Sequence, residues 1–109
     1  MINRINNLRA KYQRNPANVD WLQNDWCTAH CEAMAKQGDV FHAMPSYLND
    51  WGEIVAQCWQ FQDWNQCLDA LINLIESSDD HRDILLNSER IGYGLKTANG
   101  KTYLTIRGK

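Results

Sequence analysis

The segments Ser78–Asn87, with the sequence SDDHRDILLN, and Ile91–Leu95, with the sequence IGYGL, decide the fold of this chain. In the first segment a polar break over residues 77–80 precedes apolar positions at helical spacing, which predicts a short helix over residues 81–86. In the second segment apolar residues alternate with glycine, which predicts a strand. A His-Arg pair at the start of a short helix is therefore followed closely by a strand that contains glycines.

The segment that follows predicts a β-hairpin. Residues 91–97 and 102–107 both have strand-like composition, and Ala98-Asn99-Gly100-Lys101 joins them. Asn-Gly is the favoured pair for a two-residue type I′ turn, because both central residues need positive φ. We therefore expect the chain to contain an antiparallel pair of strands here.

Upstream of the hairpin, helical periodicity predicts three main helices, over residues 2–14, 19–37 and 63–77. Gly38 is a C-terminal cap for the second helix, and Asp63 is an N-terminal cap for the third. Residues 39–51 have an irregular pattern in which residues 40–42 could form a short strand edge, and residues 52–58 fit either a strand or the start of a helix. The expected fold class is α+β, with helices packed on a small antiparallel sheet.

The apolar residues of the predicted helices are expected to face the core. In the second helix this face is wide, comprising Trp21, Leu22, Trp26, Cys27, His30, Cys31 and Met34; in the third it comprises Trp64, Cys67, Leu68, Leu71, Ile72, Leu74 and Ile75. The chain has five Trp residues, and core or semi-buried packing is the expected role for most of them. One or two could instead line an aromatic cleft.

Length and charge restrict the classes of function. The 109 residues are expected to form one domain, residues 1–109, and the net charge of −2 without a basic stripe argues against nucleic-acid binding. No apolar run is long enough for a membrane span, and the first residues lack the apolar core of a signal peptide. The chain is therefore expected to be cytoplasmic, or else to be a mature protein or one encoded by a phage or another mobile element, with another route out of the cell.

The chain has four cysteines, which permit more than one interpretation. Cys27 and Cys31 are four residues apart on one helical face, and two buried thiols are the favoured interpretation. A metal site of Cys27, His30 and Cys31 would need an outside ligand, such as Cys58 or Cys67. His30 itself is more typical of a satisfied core or boundary histidine, and whether Cys58 and Cys67 pair is left open.

Several motifs, in their order and spacing, resemble those of the CAP superfamily, named for cysteine-rich secretory proteins, antigen 5 and pathogenesis-related 1 proteins. The resemblance covers nearly the whole chain and is strongest to the minimal bacterial branch. Ile54 stands where the family usually has Asn, and Ile75 stands where it usually has Trp. The matching residues are Asn6-x-x-Arg9, the segment 27–35 (CTAHCEAMA), His42, Gly52-Glu53, Ser78-x-x-His81-Arg82-x-x-Leu85-Leu86-Asn87, Gly92-Tyr93-Gly94 and Tyr103.

The resemblance implies a three-layer α-β-α sandwich and a surface cleft. His42, Glu53 and His81 match the two histidines and the acid that converge in that cleft, where some family members bind a divalent metal. Two imidazoles and a carboxylate leave an open position on Zn²⁺, as in catalytic zinc sites. These three residues are therefore the candidate metal ligands and the candidate catalytic residues. A fourth ligand is not evident, because Ser78 stands at the position of a second acid and Glu76 is only nearby.

Each of these residues also has a structural interpretation. His42 could bond to backbone, and the imidazole of His81 could bond to Glu53. Arg82 could pair with Asp79 or Asp83 on the surface. Asn6 and Arg9 are expected to tie the first helix to neighbouring loops.

The favoured function is a binding or interaction module that takes an unidentified protein or small ligand into the His/Glu cleft, with bound Zn²⁺ as an open alternative. A metal-assisted hydrolase using His42, Glu53 and His81 is the competing hypothesis. A Ser78–His81 pair is a remote catalytic variant, because no oxyanion element is visible. A sterol carrier is disfavoured by the polar residues in the segment 41–51.

Overall fold

The computed structural model describes residues 1–59 and 63–109, which form one sheet with helices on both faces. The helices are α1 (Ile2–Lys11), α2 (Trp21–Gln37), α3 (Pro45–Leu48), α4 (Trp64–Ser77) and α5 (Asp79–Asn87). The strands are β1 (Asn18–Val19), β2 (Gly52–Trp59), β3 (Arg90–Ala98) and β4 (Lys101–Gly108).

Local capping interactions set the helix ends. The side chains of Asp20, Asp63 and Ser78 accept hydrogen bonds from the first-turn N–H groups of α2, α4 and α5, respectively. Gly38 ends α2 in the left-handed conformation, at φ 86°. The predicted caps at Gly38 and Asp63 are therefore confirmed. Helix α1 is shorter than predicted, because it ends at Lys11 and the chain turns through Gln13 at φ 57°.

The sheet has the strand order β1-β3-β4-β2 and is mixed. The strands β2, β4 and β3 are antiparallel, whereas the two-residue β1 pairs parallel with β3. The predicted hairpin turn is confirmed by positive φ values at Asn99 (53°) and Gly100 (78°). The ambiguous segment 52–58 is a strand, residues 40–42 are not, and β1 was not predicted.

The predicted three-layer arrangement is confirmed. Because successive side chains of a strand point to opposite faces, each strand contributes to two separate layers. One layer holds α1, α4 and α5 against a core that includes Ile54, Leu104 and Ile106. The other layer holds α2, whose Cys31 and Met34 pack with Tyr103 of β4.

Helix α2 lies unusually close to β3, and the two glycines of the IGYGL segment explain why. A Cβ atom at Gly92 would lie 2.4 Å from the Cβ of Gln23, and one at Gly94 would lie 2.4 Å from the backbone N of Thr28. A side chain at either position would therefore push α2 away from the sheet. The glycines permit this contact, and only small or slender residues of α2 fit into it.

This close contact overturns the prediction of a wide apolar face on α2. The buried residues of the helix are Cys27, Cys31 and Met34, whereas Trp21 is 73% and Trp26 is 55% exposed. The prediction that most tryptophans are in the core is also wrong, because Trp59 and Trp64 are exposed. In α4, Trp64 and Leu74 are exposed, whereas the other residues of the predicted inner face are buried in the core or, in the case of Ile72, packed against it.

Asn6 and Arg9 tie α1 to neighbouring loops, as predicted. The Oδ1 atom of Asn6 accepts from the N–H of Ala17 over 3.0 Å. The buried guanidinium of Arg9 donates to three carbonyl oxygens, those of Asn15, Leu85 and Ser88. Burial lowers the pKa of Arg9, and the carbonyl dipoles compensate for the desolvated charge.

The cysteines form one disulfide and two buried thiols. Cys58 at the end of β2 is bonded to Cys67 in α4, which settles the pairing that the sequence left open. Cys27 and Cys31 are free and buried, as predicted. Burial raises the pKa of Cys27 to about 12 and that of Cys31 to about 11, so both remain thiols at neutral pH.

Candidate functional site

A buried ion pair lies on the α2 side of the sheet. Glu53 of β2 and Arg107 of β4 are paired in the strand register, so their side chains emerge side by side. The Nε atom of Arg107 donates to Oε2 of Glu53 over 3.0 Å, and both side chains are buried. The other carboxylate oxygen, Oε1, accepts from the backbone N–H of Ala43 over 2.8 Å. Glu53 therefore anchors the segment that follows α2.

His42 meets the same carboxylate. Its Nδ1 atom lies 3.0 Å from Oε1 of Glu53, and 58% of its side chain is exposed. When Nδ1 carries the hydrogen and donates to the carboxylate, Nε2 is the acceptor and faces outward. The ion pair thus fixes the orientation of an accessible imidazole.

Beside these residues an open cavity of about 680 Å³ separates α2 from the segment 41–51. Its walls are largely apolar and aromatic, and Trp26 and Trp51 belong to them, in agreement with the alternative that one or two tryptophans line a cleft. Among the described residues that line it, Arg107 is the one Arg, Lys, Asp or Glu. The lining residues are Gln23, Trp26, Ala29, His30, Ala33, Phe41, His42, Ala43, Met44, Ser46, Tyr47, Leu48, Asn49, Trp51 and Arg107.

The structure brings together His42 and Glu53, but His81 is not among the residues that line this cavity. His81 is in the first turn of α5, which packs on the opposite face of the sheet, where Ile84 faces Gly52. The side chain of Glu53 points to the α2 face. Among the described residues, the histidine that bonds to Glu53 is therefore His42 instead of His81.

The neighbours of His81 have structural contacts. The Oγ atom of Ser78 accepts from the backbone N–H of His81, so the hydroxyl caps α5. The Nη2 atom of Arg82 donates to Asp79 over 2.8 Å, which is one of the two surface pairs expected from the sequence. These contacts assign Ser78 a capping role and give no support to a Ser78–His81 nucleophile.

The side chains around Glu53 do not form a ligand set for a divalent metal ion. Over residues 1–59 and 63–109, no group of three or more His, Cys, Asp or Glu side chains is arranged to hold one. Both oxygens of Glu53 already accept hydrogen bonds, and one of the donors is the guanidinium of Arg107. A metal ion at this carboxylate would have to displace a cation that the fold holds in place.

The alternative metal site in α2, formed by Cys27, His30 and Cys31, lacks the outside ligand that it would need. His30 Nε2 lies 2.6 Å from the carbonyl oxygen of Phe41, and the two rings pack edge to face with centroids 5.0 Å apart. Cys58 and Cys67, the candidate outside ligands, are bonded to each other. His30 is thus the satisfied boundary histidine that was expected.

The sequence did not identify Arg107, the central residue of this site. Arg107 is adjacent to Glu53 only through the pairing of β2 with β4, and the two residues are 54 positions apart in sequence. One signal was available: Arg107 is a charged residue at the end of the predicted strand over residues 102–107, and Arg is almost never fully buried without a partner.

No model of a protein family matches this sequence, and no curated protein is significantly similar to it. Solved structures do match. An outer surface protein from Borrelia burgdorferi has a TM-score of 0.78 at 16% identity, over 98% of this chain and 86% of that one. NaASP2 with Zn²⁺ has a TM-score of 0.68 at 12% identity, over 98% of this chain and 75% of that one.

A third similar structure is described as containing an SCP domain. An extracellular protein from Bacillus anthracis that contains an SCP domain has a TM-score of 0.62 at 21% identity, over 96% of this chain and 38% of that one. At these identities the likeness establishes the fold. The chain has the CAP-like, or SCP-like, α-β-α fold that the motifs indicated. In the part that the structure describes, no helix is long and apolar enough to cross a membrane.

Proposed function

We propose that this protein is a CAP-like binding module that takes a small ligand or a segment of a partner protein into the cavity beside His42 and Glu53. The cavity itself is the observation that supports the proposal. It is of the size that small-molecule sites usually have, and it combines aromatic walls with a few convergent polar groups. Met44 and Tyr47 at its rim are exposed, so apolar surface is available to a ligand.

The segment 41–51 gives the cavity a defined shape. Glu53 binds the backbone N–H of Ala43 and the imidazole of His42, so one end of the segment is held to the sheet. Trp51, at the other end, lies under the guanidinium of Arg90 at 5.2 Å from the ring centroid. A wall held at both ends is partly preorganised, which lowers the entropy that binding would cost.

A neutral fluorescent probe tests this proposal. We expect Nile red to bind the wild-type protein with increased emission, and Ala33→Trp, which places an indole in the cavity wall, to reduce that emission strongly. Ala10→Trp is the matched control, because Ala10 is exposed on α1 outside the cavity. Equal dye binding by both variants would rule out the cavity as the binding site.

The competing hypothesis is a metal-assisted hydrolase using His42, Glu53 and His81. The similar structure NaASP2, which was solved with Zn²⁺, supports this hypothesis. We place it second, because Glu53 already pairs with Arg107 and the cavity lining does not include His81.

The disulfide supports a compartment that permits disulfide bonds, in place of the cytoplasm suggested by the first residues. Small single domains with a disulfide are typical of oxidising environments. Mass spectrometry of the protein, purified from its host with thiols blocked at lysis, would detect the Cys58–Cys67 bond. Recovery of four alkylated cysteines would favour the cytoplasm.

A further inference from the structure

Three polar side chains lie in one row beneath the cavity. Glu53, Arg107 and Gly92 are paired across β2, β4 and β3. Gly92 has no side chain, and Gln23 of α2 packs directly over it. The row therefore consists of the carboxylate of Glu53, the guanidinium of Arg107 and the carboxamide of Gln23, and the last two line the cavity.

The ion pair with Glu53 uses only one of the N–H groups of Arg107. Its Nε atom donates to Glu53, and within residues 1–59 and 63–109 its terminal Nη groups have no hydrogen-bond partner. These groups keep some accessible surface, since Arg107 lines the cavity. A guanidinium has five N–H donors in a planar fork, and those on the Nη atoms are available to a group in the cavity.

Gln23 provides the complementary group. Its Oε1 atom is buried and has no hydrogen-bond partner. A buried acceptor without a donor costs free energy until one reaches it. Gln23 and Arg107 both line the cavity, and rotation of the Gln23 carboxamide would turn Oε1 toward a ligand donor among the aromatic walls.

Building on the proposed function, we infer that the ligand of this cavity is a small carboxylate with a flat apolar body and one N–H group next to the carboxylate. The carboxylate accepts from the Nη groups of Arg107, and the N–H donates to Oε1 of Gln23. The apolar body packs against Trp26 and Trp51. N-acyl amino acids and the C-terminal residue of a peptide share this chemistry.

Charge supports this assignment. Within residues 1–59 and 63–109 no Asp or Glu lines the cavity, so its walls present no carboxylate to the ligand. Glu53 lies behind Arg107 and His42 with 1% of its side chain exposed. Bonds between a guanidinium and a carboxylate are among the strong charge-assisted hydrogen bonds.

The test compares N-acetyl-L-phenylalanine with its uncharged amide by isothermal titration calorimetry. The acid should bind at least about tenfold more tightly, because a hydrogen bond to a charged group contributes more than a neutral one. 3-Phenylpropionate, which lacks the N–H, should bind about threefold more weakly than the acid. A glycyl-glycyl-phenylalanine peptide with a free C-terminus distinguishes the sources: binding equal to the acid favours a peptide end, and weaker binding favours a free N-acyl amino acid.

Variants of Arg107 and Gln23 test whether these side chains cause the preference for the acid over its amide and over 3-phenylpropionate. Arg107→Lys keeps a cation beside Glu53 but loses the fork, so the acid should lose most of its advantage over the amide. Gln23→Met should remove the advantage of the acid over 3-phenylpropionate. Gln57→Met is the matched control, because Gln57 also has a buried Oε1 without a partner but is outside the cavity lining. If Arg107→Lys does not fold, Glu53→Gln/Arg107→Gln replaces both charges at once.

The outcomes separate this inference from the proposed function. If Nile red binds in the cavity but the acid and the amide bind equally, the carboxylate assignment is overturned and the binding module stands. If Arg107→Lys retains the full preference, Arg107 is not the recognition group and the inference also fails. If neither the dye nor the acid binds, the proposed function fails together with it.

Discussion

Arg107 of β4 donates from Nε to the Oε2 atom of Glu53 of β2 over 3.0 Å, and the two side chains are buried together on the α2 face of the sheet. The pair places a fixed positive charge where the family resemblance suggested a metal ligand. Because breaking a buried ion pair leaves an uncompensated charge, this arrangement is expected to persist in solution. The site is therefore organised around an internal cation.

Zinc should not stabilise this protein. A zinc titration followed by melting temperature is expected to show no zinc-dependent shift in wild type, His42→Ala or His81→Ala, because both oxygens of Glu53 already accept hydrogen bonds. A rise of several degrees in the wild type that His42→Ala abolishes would contradict this prediction. Such a result would revive the metal-assisted hydrolase.

Gly94→Ala should be strongly destabilising. The added methyl group would lie 2.4 Å from the backbone N of Thr28, so α2 must move away from β3. We expect a loss of about 3 kcal/mol in the free energy of unfolding, measured by urea denaturation. Lys96→Ala on the same strand is the control, because Lys96 is exposed, and it should change that value by less than about 0.5 kcal/mol. Similar losses for both variants would refute the close-packing argument.

Asp20 should make stability depend on acid pH. Its carboxylate accepts from the N–H of Gln23 and pairs with Arg90, and these contacts lower its pKa from the ordinary 3.8. A lowered folded-state pKa gives stability that is present above 3.8 and disappears as pH falls through the folded value. Asp20→Ala should therefore cost about 1 kcal/mol at neutral pH and progressively less in acid.

Thermal unfolding across this pH range checks the Asp20 prediction. Asp20→Asn is the matched variant, because Asn caps a helix equally well but carries no charge to pair with Arg90. It should lose less stability than Asp20→Ala. A pH-independent difference between wild type and Asp20→Ala would show that the charge of Asp20 is irrelevant.

The cysteines should divide into two classes of reactivity. In the native oxidised protein a thiol reagent at mildly alkaline pH should detect neither Cys27 nor Cys31, because burial raises their pKa values to about 12 and about 11. After unfolding, two thiols should react, and reduction should raise the number to four. Fast reaction in the native state would mean that the α2 layer opens readily.

Reduction should also destabilise the fold. The Cys58–Cys67 bond spans a sequence separation of 9, and closing a short loop of this kind typically contributes about 2 to 3 kcal/mol. Urea unfolding with and without reductant measures this contribution. The double variant Cys58→Ser/Cys67→Ser should match the reduced protein and be insensitive to reductant. A wild-type curve that reductant leaves unchanged would contradict the assignment.

Features that depend on neighbours in sequence were predictable. The cap at Gly38, the cap at Asp63 and the Asn99-Gly100 turn each follow from a few adjacent residues, and all three are confirmed. Features that depend on packing between distant segments were not. The exposure of Trp21 follows from glycines on β3, which sequence periodicity within α2 cannot detect. The fold could thus be recognised from the sequence motifs, whereas Arg107 and Gln23 of the site could not be predicted from them.

The candidate site shows the same division. Glu53 and His42 were found because the family pattern marks them, and they do meet. Arg107 was missed because its partner is defined by strand register, whereas the third predicted ligand, His81, belongs to α5 and is not among the residues that line the cavity. A motif fixes residue types along the chain, but register and face decide which side chains meet.

The strand order has a consequence for biosynthesis. β2 and β3 do not pair with each other, and each is joined to the sheet through β4, which follows both of them in the chain. While residues 101–108 are still inside the ribosome, the nascent chain carries two strands with no shared partner and two unfinished hydrophobic layers. We expect the sheet to form only after these residues emerge, so a ribosome stalled before residue 101 should display a protease-sensitive chain that a chaperone can bind.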